Sequence, residues 1–124
     1  MDKFDKAIIS ALRQDARQSV SSIADAVSLS RSAVSERIKK LEKNGIINRY
    51  VALLNHRKLG KKLTAFIDIS IKDHSKSALE AFVRQITTYD EILECHHVTG
   101  ESDFMLKVVL RDVEAYNDFV LEKL

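Results

Sequence analysis

The pattern of apolar and polar positions changes near residue 62 of the chain. Before that point apolar residues recur every three or four positions, as they do on one face of a helix. After it, apolar and polar residues begin to alternate, which is typical of a strand with one buried face. The sequence therefore predicts an α+β protein with a helical domain over residues 1–54, a hinge over residues 55–62 and a mixed domain over residues 63–124.

The first domain contains three predicted helices. Apolar stripes at helical spacing mark the first two, formed by Ala7, Ile8, Ala11 and Leu12 and then by Ile23, Ala24 and Val27. The third helix begins after Ser30, whose hydroxyl suits an N-cap, and ends at Gly45, where a left-handed residue is needed. Because only Ser28 and Leu29 separate the second helix from this cap, the pair is predicted to be a helix-turn-helix. Leu29 is expected to fill the core between them.

The third helix has one face that packs and one that is free to contact a ligand. Val34, Ile38 and Leu41 repeat at i, i+4 and i+7, which predicts the packing face. The opposite face is polar and basic, with groups that can donate to phosphates or to base edges. The candidate DNA-binding residues are Ser30, Arg31, Ser32, Ser35, Glu36, Arg37, Lys39, Lys40 and, beyond the helix, Arg49. Among these we expect Ser32 and Ser35 to meet bases, and the loss of Arg37 or Lys40 to weaken binding.

The charge distribution supports a polyanionic partner for the first half of the chain. The formal net charge is only +2, but residues 1–62 contain 14 basic and 6 acidic residues, for a net charge of +8. Residues 63–124 contain 6 basic and 12 acidic residues, for a net charge of −6. This asymmetry indicates that the two halves have different tasks and that the first half meets nucleic acid.

The segment after the third helix is rich in strand formers. Residues 46–54 are therefore predicted to form a wing or a strand that leaves the helical domain, which would bring Arg49 and Tyr50 near bound DNA. The basic run from His56 to Lys62 contains Gly60 and is interpreted as a solvated hinge.

The second domain is predicted to have the order strand, helix, strand, strand, helix. Alternation over residues 63–71 gives the first strand, and Leu79, Phe82, Val83 and Ile86 give a helix. Residues 91–99 and 104–110 form strands around a turn, and residues 112–124 form a last helix with Val113, Tyr116 and Val120 on its apolar stripe. This is a ferredoxin-like αβ sandwich without its last strand. We expect either that the sequence is C-terminally incomplete or that a partner covers the open edge.

Composition excludes several classes of protein. Hydrophobic residues make up 45% of the chain, which argues against disorder, and no apolar run approaches the roughly 20 residues of a membrane span. Met1 is followed at once by Asp2, Lys3 and Asp5 and not by the apolar core of a signal peptide, and Cys95 has no cysteine with which to pair, so a cytoplasmic location is expected. Cys95, His96 and His97 are consecutive strand residues whose side chains alternate between faces, so they are not expected to share a zinc ion. No metal or cofactor is predicted.

The whole chain resembles the Lrp/AsnC family, also called feast/famine regulators. The resemblance lies in Asp5, Ile8 with Ile9, LRQDAR at 12–17, SSIADA at 21–26, Leu29 with Ser30, Val34, Arg37, Leu41, GII at 45–47 and VTGESD at 98–103. It implies a winged helix-turn-helix followed by an αβ sandwich called the RAM domain. It also implies a transcription regulator that assembles as a homodimer or a higher oligomer such as an octamer.

The resemblance further implies an amino-acid-like effector bound in a cleft between RAM domains. The corresponding residues are Thr99, Gly100, Glu101, Ser102 and Asp103. In such a turn glycine lets backbone approach a ligand, free amides can hold a carboxylate, and Asp103 can pair with an ammonium group. A dimer would place two recognition helices in successive major grooves about 34 Å apart, which predicts a palindromic operator on double-stranded DNA.

Two other functions fit parts of the sequence. A nucleoid-type protein that wraps DNA without an effector would share the basic first half. An enzyme similar to sirohaem decarboxylases would share the two-domain order, with His56, His74, His96 and His97 as its candidate residues. The intact helix-turn-helix argues against the enzyme, and no nucleophile, paired-carboxylate site or phosphate loop is evident in the sequence.

Overall fold

The computed structural model describes all residues from Met1 to Leu124. The chain forms two units, Met1–Leu53 and Leu54–Leu124. None of the helices is both long and apolar enough to cross a membrane.

The first unit contains three helices, each begun by a side chain that caps its first turn. They are α1 (Lys3–Gln14), α2 (Val20–Val27) and α3 (Arg31–Lys43), and their N-caps are Asp2, Ser19 and Ser30. In each case the cap oxygen accepts a hydrogen bond from the backbone N–H three residues on, at 2.9–3.1 Å. These bonds satisfy donors that a helix start leaves unpaired, so the sequence itself sets where each helix begins.

The core of the first unit fixes α3 against the other two helices. Ile8 of α1, Ile23 of α2 and Val34 of α3 are almost completely buried, and Leu41 extends this core along α3. Ile38 and Leu29 are partly buried against the same cluster, so the predicted packing face is confirmed. The opposite face of α3 is left in solvent. Of the predicted α1 stripe, only Ala7 is exposed.

The connection between α2 and α3 is short and strained. Ser28 ends α2 with φ of 61°, in the left-handed region that non-glycine residues rarely adopt. The N–H of Leu29 then donates to the carbonyl of Ala24 at 3.1 Å, which closes the turn. At the other end of α3, Gly45 has φ of 75°, as the predicted stop requires.

The segment expected to be a strand after α3 forms no strand. Residues 46–54 pair with no strand of this chain, although the segment is rich in residue types that favour strands. A β-strand depends on hydrogen bonds to a neighbouring strand, so favourable residues alone do not produce one. Several apolar side chains of the segment are exposed, among them Val51 and Leu53, the latter at 95%.

The second unit is a three-stranded antiparallel sheet with two helices. In chain order its elements are β1 (Leu63–Ile69), α4 (Lys76–Ile86), β2 (Ile92–His97), β3 (Phe104–Leu110) and α5 (Val113–Lys123). The sheet order is β1-β3-β2, so β3 is central and β1 is an edge strand. Leu63 pairs with Leu110 and Ile69 with Phe104 in a regular ladder, whereas the pairing of β2 shifts between Ile92 and Glu94. Before β1, residues 56–60 form a tight turn.

The core of the second unit lies between the sheet and its helices. Leu106 and Val108 of β3 are fully buried, and Ile86 of α4 packs against them. The predicted apolar stripe of α5 is partly wrong. Val113 is 63% exposed, and the buried residue is Phe119, which packs edge-on against Tyr89 with ring centres 6.1 Å apart. Val113 stands next to the Asp112 cap, at the very start of the helix.

Candidate nucleic-acid interface and ligand turn

The solvent face of α3 is open along most of its length. Arg31, Ser32, Glu36, Lys39 and Lys40 are exposed, and Ser35 is half-buried. The side chains of Arg31, Lys39 and Lys40 form no ion pair within the chain. Their charges are therefore available to an anionic partner.

Ser30 and Arg49 lie outside α3, the first before its start and the second after its end. Ser30 Oγ accepts from the Ala33 N–H at 3.1 Å and lies 3.3 Å from Ser32 Oγ, so its first task is to cap the helix. Arg49 is exposed, outside α3, and forms no ion pair. The predicted DNA-binding set is thus exposed apart from Ser35 and Arg37.

Arg37 lies on the same helix but points toward α1. Its Nη1 donates to both oxygens of Asp2, at 2.9 and 2.7 Å, and to Asp5 Oδ1 at 3.1 Å. Its guanidinium carbon is 5.4 Å from the ring centre of Phe4. The hydrogen bond from the Asp5 backbone N–H is the main cause that lowers the pKa of Asp2, and the hydrogen bond from Arg37 is the next. The carboxylates of Asp2 and Asp5 in turn raise the pKa of Arg37. We name Asp2, Asp5 and Arg37 the α1–α3 clamp.

The predicted ligand turn joins β2 to β3. The Val98 N–H donates to the Asp103 carbonyl at 2.9 Å, and the Asp103 N–H donates to the Ile69 carbonyl at 2.9 Å, so the base of the turn is closed against β1. Gly100 has φ of 111°, which disfavours any side chain there. Thr99, Gly100 and Glu101 are exposed and Ser102 is half-buried. The N–H groups of Thr99, Gly100 and Glu101 donate no hydrogen bond within the chain, so the tip of the turn leaves them to solvent.

Asp103 holds the segment after β1 in place. Its Oδ2 accepts from the Ile71 N–H at 2.7 Å and lies 3.2 Å from His74 Nε2. Close to them, Ser70 Oγ donates to the Glu101 carbonyl at 3.4 Å. Asp103 Oδ1 makes no hydrogen bond within the chain. One carboxylate oxygen thus orders the turn while the other remains free.

The environment of Asp103 predicts acid sensitivity of the second unit. The Ile71 N–H, above all, and then the charges of His74 and His97 lower the pKa of Asp103 from its ordinary 3.8. A carboxyl with a lowered folded-state pKa stabilises the fold above its unfolded pKa, and the contribution is lost as pH falls through the folded value. Melting of wild type and Asp103→Asn between about pH 6 and pH 3 should show a difference that shrinks below about pH 4. A difference that stays constant would contradict this role.

A groove of about 410 Å³ lies next to the ligand turn. Its apolar side chains are Leu79, Val83 and Phe104, and Glu80 and Arg84 also line it. The His97 ring lies over Phe104 with centres 5.0 Å apart. His97 ends β2 and Phe104 begins β3, so the groove lies beside the two strand ends that the turn joins. We name it the α4 groove.

Cys95, His96 and His97 have three separate environments. Cys95 packs against the core, and burial raises the pKa of its thiol. His96 Nε2 lies 2.9 Å from Glu94 Oε1, and His97 stacks on Phe104. His56 and His74, the other two candidate residues for a decarboxylase-like enzyme, take no part in these contacts.

Sequence reasoning did not find the partners of either site. Asp2 lies 35 residues from Arg37, and Ile71 and His74 lie about 30 residues from Asp103. The one signal in the sequence was the N-cap position of Asp2, which indicates a helix start but not a long-range ion pair.

Two family models match the chain, one in each half. The AsnC-type helix-turn-helix domain matches residues 1–42, and the Lrp/AsnC ligand binding domain matches residues 64–124. Relatives at more than 30% identity cover the full length of the chain. The chain belongs to the Lrp/AsnC family. It is a DNA-binding transcription regulator with the ligand-binding domain of that family, as the resemblance in sequence predicted.

Individual relatives agree with this assignment. The chain is 33% identical to the transcriptional regulator AzlB of Bacillus subtilis (strain 168), over 100% of this chain and 79% of AzlB. It is 34% identical to the leucine-responsive regulatory protein of Escherichia coli (strain K12), over 100% of this chain and 76% of that protein. Both relatives are named as regulatory proteins.

A solved structure gives the same fold with a ligand. A transcriptional regulator from Neisseria meningitidis, crystallised as a complex with L-Met, is 35% identical and superposes with a TM-score of 0.91, over 98% of this chain and 79% of that one. An AsnC family regulator from Agrobacterium tumefaciens is 34% identical, with a TM-score of 0.91, over 99% of this chain and 80% of that one. The helix-turn-helix followed by an αβ sandwich is thus confirmed as the architecture.

Proposed function

We propose that a homodimer of this chain binds a palindromic operator through its two α3 helices and that an apolar L-amino acid controls the binding. The observation that supports the DNA-binding half is that Arg31, Lys39 and Lys40 are exposed on a capped helix and form no ion pair. Phosphate contacts from such residues fix the register of a helix on DNA, whereas hydroxyl groups such as those of Ser32 and Ser35 contact base edges.

The geometry of a dimer sets the form of the operator. Two symmetry-related recognition helices bind half-sites one helical turn apart, or about 34 Å. The operator is therefore an imperfect palindrome, and binding through it is specific. Sedimentation of the DNA-bound protein distinguishes a dimer from a higher oligomer.

The ligand turn is the proposed site of the amino acid. Its exposed backbone at Thr99–Glu101 offers N–H groups to a carboxylate, and the free Oδ1 of Asp103 offers a partner to an ammonium group. The α4 groove beside the turn has an apolar floor, which favours an aliphatic or thioether side chain. L-Met and L-Leu are the first ligands to test, since a relative of this fold binds L-Met and another is named for its response to leucine.

A thermal-shift screen of the twenty amino acids tests the effector. A ligand that binds only the folded protein raises its melting temperature, by an amount that grows with the logarithm of ligand concentration. We expect a rise with L-Met or L-Leu that exceeds the rise with L-Asp or L-Lys. Asp103→Asn should lose the response, whereas Asp68→Asn, an exposed strand residue without an ion pair, should keep it. The absence of any rise at millimolar concentration would remove the effector.

Footprinting tests the mode of DNA binding. A local regulator protects a bounded, palindromic site, and the amino acid found above changes that protection. Broad protection that does not depend on sequence would instead indicate an architectural protein that wraps DNA.

A further inference from the structure

Arg37 differs from every other basic residue on α3. Arg31, Lys39 and Lys40 are exposed and unpaired, whereas Arg37 is half-buried and makes three hydrogen bonds of 2.7–3.1 Å to two carboxylates. The ring of Phe4 lies against its guanidinium. A planar guanidinium held by several acceptors and an aromatic ring has a defined orientation, which a solvated side chain lacks.

The clamp joins the start of α1 to the middle of α3. Asp2 Oδ1 also accepts the hydrogen bond that caps α1, from the Asp5 N–H at 2.9 Å. Arg37 is the seventh residue of α3, on a turn that also contributes Val34 and Ile38 to the core. The hydrophobic contacts hold one side of α3 at this turn. The ion pairs therefore fix the rotation of α3 about its own axis.

The charges of the clamp argue against a direct contact of Arg37 with DNA. To reach a phosphate, Arg37 would have to release three hydrogen bonds. It would then leave Asp2 and Asp5 uncompensated beside a polyanion, since neither forms another ion pair. Both changes oppose DNA binding.

We propose that Asp2 and Asp5, acting through Arg37, are positioning residues that hold α3 in the orientation needed to read bases. The phosphate contacts come from the exposed basic residues, and the clamp touches no nucleic acid. The inference revises the expectation that Arg37 binds DNA itself. It rests on the proposed function of α3 as the DNA-reading helix.

The clamp predicts that removing a negative charge weakens DNA binding, which is the opposite of the usual effect. Replacing an acidic residue by a neutral one normally strengthens binding to a polyanion, because it removes repulsion. If the clamp positions α3, Asp5→Asn and Asp2→Asn must instead weaken specific binding. Asn keeps the shape of the side chain, and at position 2 it still caps α1, so both variants are expected to fold.

The experiment uses two DNA probes and one set of variants. The probes are a duplex that the wild-type chain enriches from a random-sequence pool and mixed-sequence genomic DNA. The variants are Asp2→Asn, Asp5→Asn, Arg37→Ala and the double variant Asp5→Asn with Arg37→Ala. Asp25→Asn, an exposed residue of α2 without an ion pair, is the matched control. Affinity is measured over a range of salt concentrations, and circular dichroism verifies folding.

We expect each clamp variant to lose about three- to tenfold in affinity for the enriched duplex while its affinity for mixed DNA changes less than about twofold. The salt dependence should stay as in wild type, because no phosphate contact is lost. Asp25→Asn should bind as tightly as wild type or more tightly. In the Arg37→Ala background, Asp5→Asn should no longer weaken binding, because the partner of the carboxylate is gone.

Two results would overturn the inference. One is tighter binding of the enriched duplex by Asp5→Asn and Asp2→Asn. The other is a loss of about 0.9 in the salt slope for Arg37→Ala on both probes, which is the signature of a phosphate contact. A wild-type chain that enriches no duplex would overturn the proposed function instead, and that outcome is visible before any variant is made. If Arg37→Ala does not fold, the Asn variants decide the question.

Discussion

Replacing Lys39 and Lys40 together by Ala is expected to lower the affinity for DNA on the order of tenfold or more at physiological salt. Both side chains are exposed on α3 and neither is paired with a carboxylate, so their full charge is free for phosphates. Each lost phosphate contact reduces the steepness of log affinity against log salt by about 0.9. The double variant should therefore lose about 2 from this slope for each bound chain. Fluorescence anisotropy over a salt series measures both quantities.

The matched control removes the same charge from the other unit. Lys72 and Lys76 are exposed and unpaired, and Lys76 begins α4. Their double replacement by Ala should leave the salt slope as it is. Equal losses from the two double variants would mean that net charge alone drives binding and that α3 is not the contact surface.

Leu106→Ala is expected to destabilise the second unit by about 2–5 kcal/mol. Leu106 has no exposed surface and lies in the centre of β3, which pairs with both other strands. Truncation there leaves a cavity lined by residues of the sheet and of both helices. In a domain of this size 1 kcal/mol corresponds to roughly 4–8 °C, so calorimetry should show the transition of the unit at least about 10 °C lower.

Leu121→Ala is the natural control for this change. Leu121 is on α5 but 84% exposed, and the same chemical truncation there should alter stability by less than about 0.5 kcal/mol. If the two leucines proved equally costly, the packing of the sheet against its helices would have to be different from that described.

The helices were predictable because their signals are local. Ser30 as a cap and Gly45 as a stop lie within one turn of the ends of α3, and the stripe from Val34 to Leu41 has a regular spacing. β1 and β3 were likewise given by alternation over short windows. Local spacing fixes these elements before any tertiary contact is considered.

The features that the sequence did not reveal depend on distant pairing. Residues 46–54 favour a strand, but without a neighbouring strand they form none. Arg37 follows Val34 by three residues and precedes Leu41 by four, so it borders the packing stripe, and only the packing of α1 beside α3 brings Asp2 and Asp5 to it. On α5, the position of the sheet determines that Phe119 is buried and Val113 is exposed, and periodicity does not specify that position.

Some residues of α3 and of the turn before it hold the helix in the fold, and others are exposed and make no such contact. This difference defines a library of variants for changing the DNA specificity of α3. Ser28 in its left-handed conformation, the Ser30 cap and Arg37 hold the helix in place, so a library should keep them constant. Ser32 and Glu36 are exposed and make no bond that the fold needs beyond the contact between Ser32 and its neighbouring serine. Randomising these two positions, with Lys39 and Lys40 kept for their phosphate contacts, samples new operators on a scaffold whose foldability is left intact.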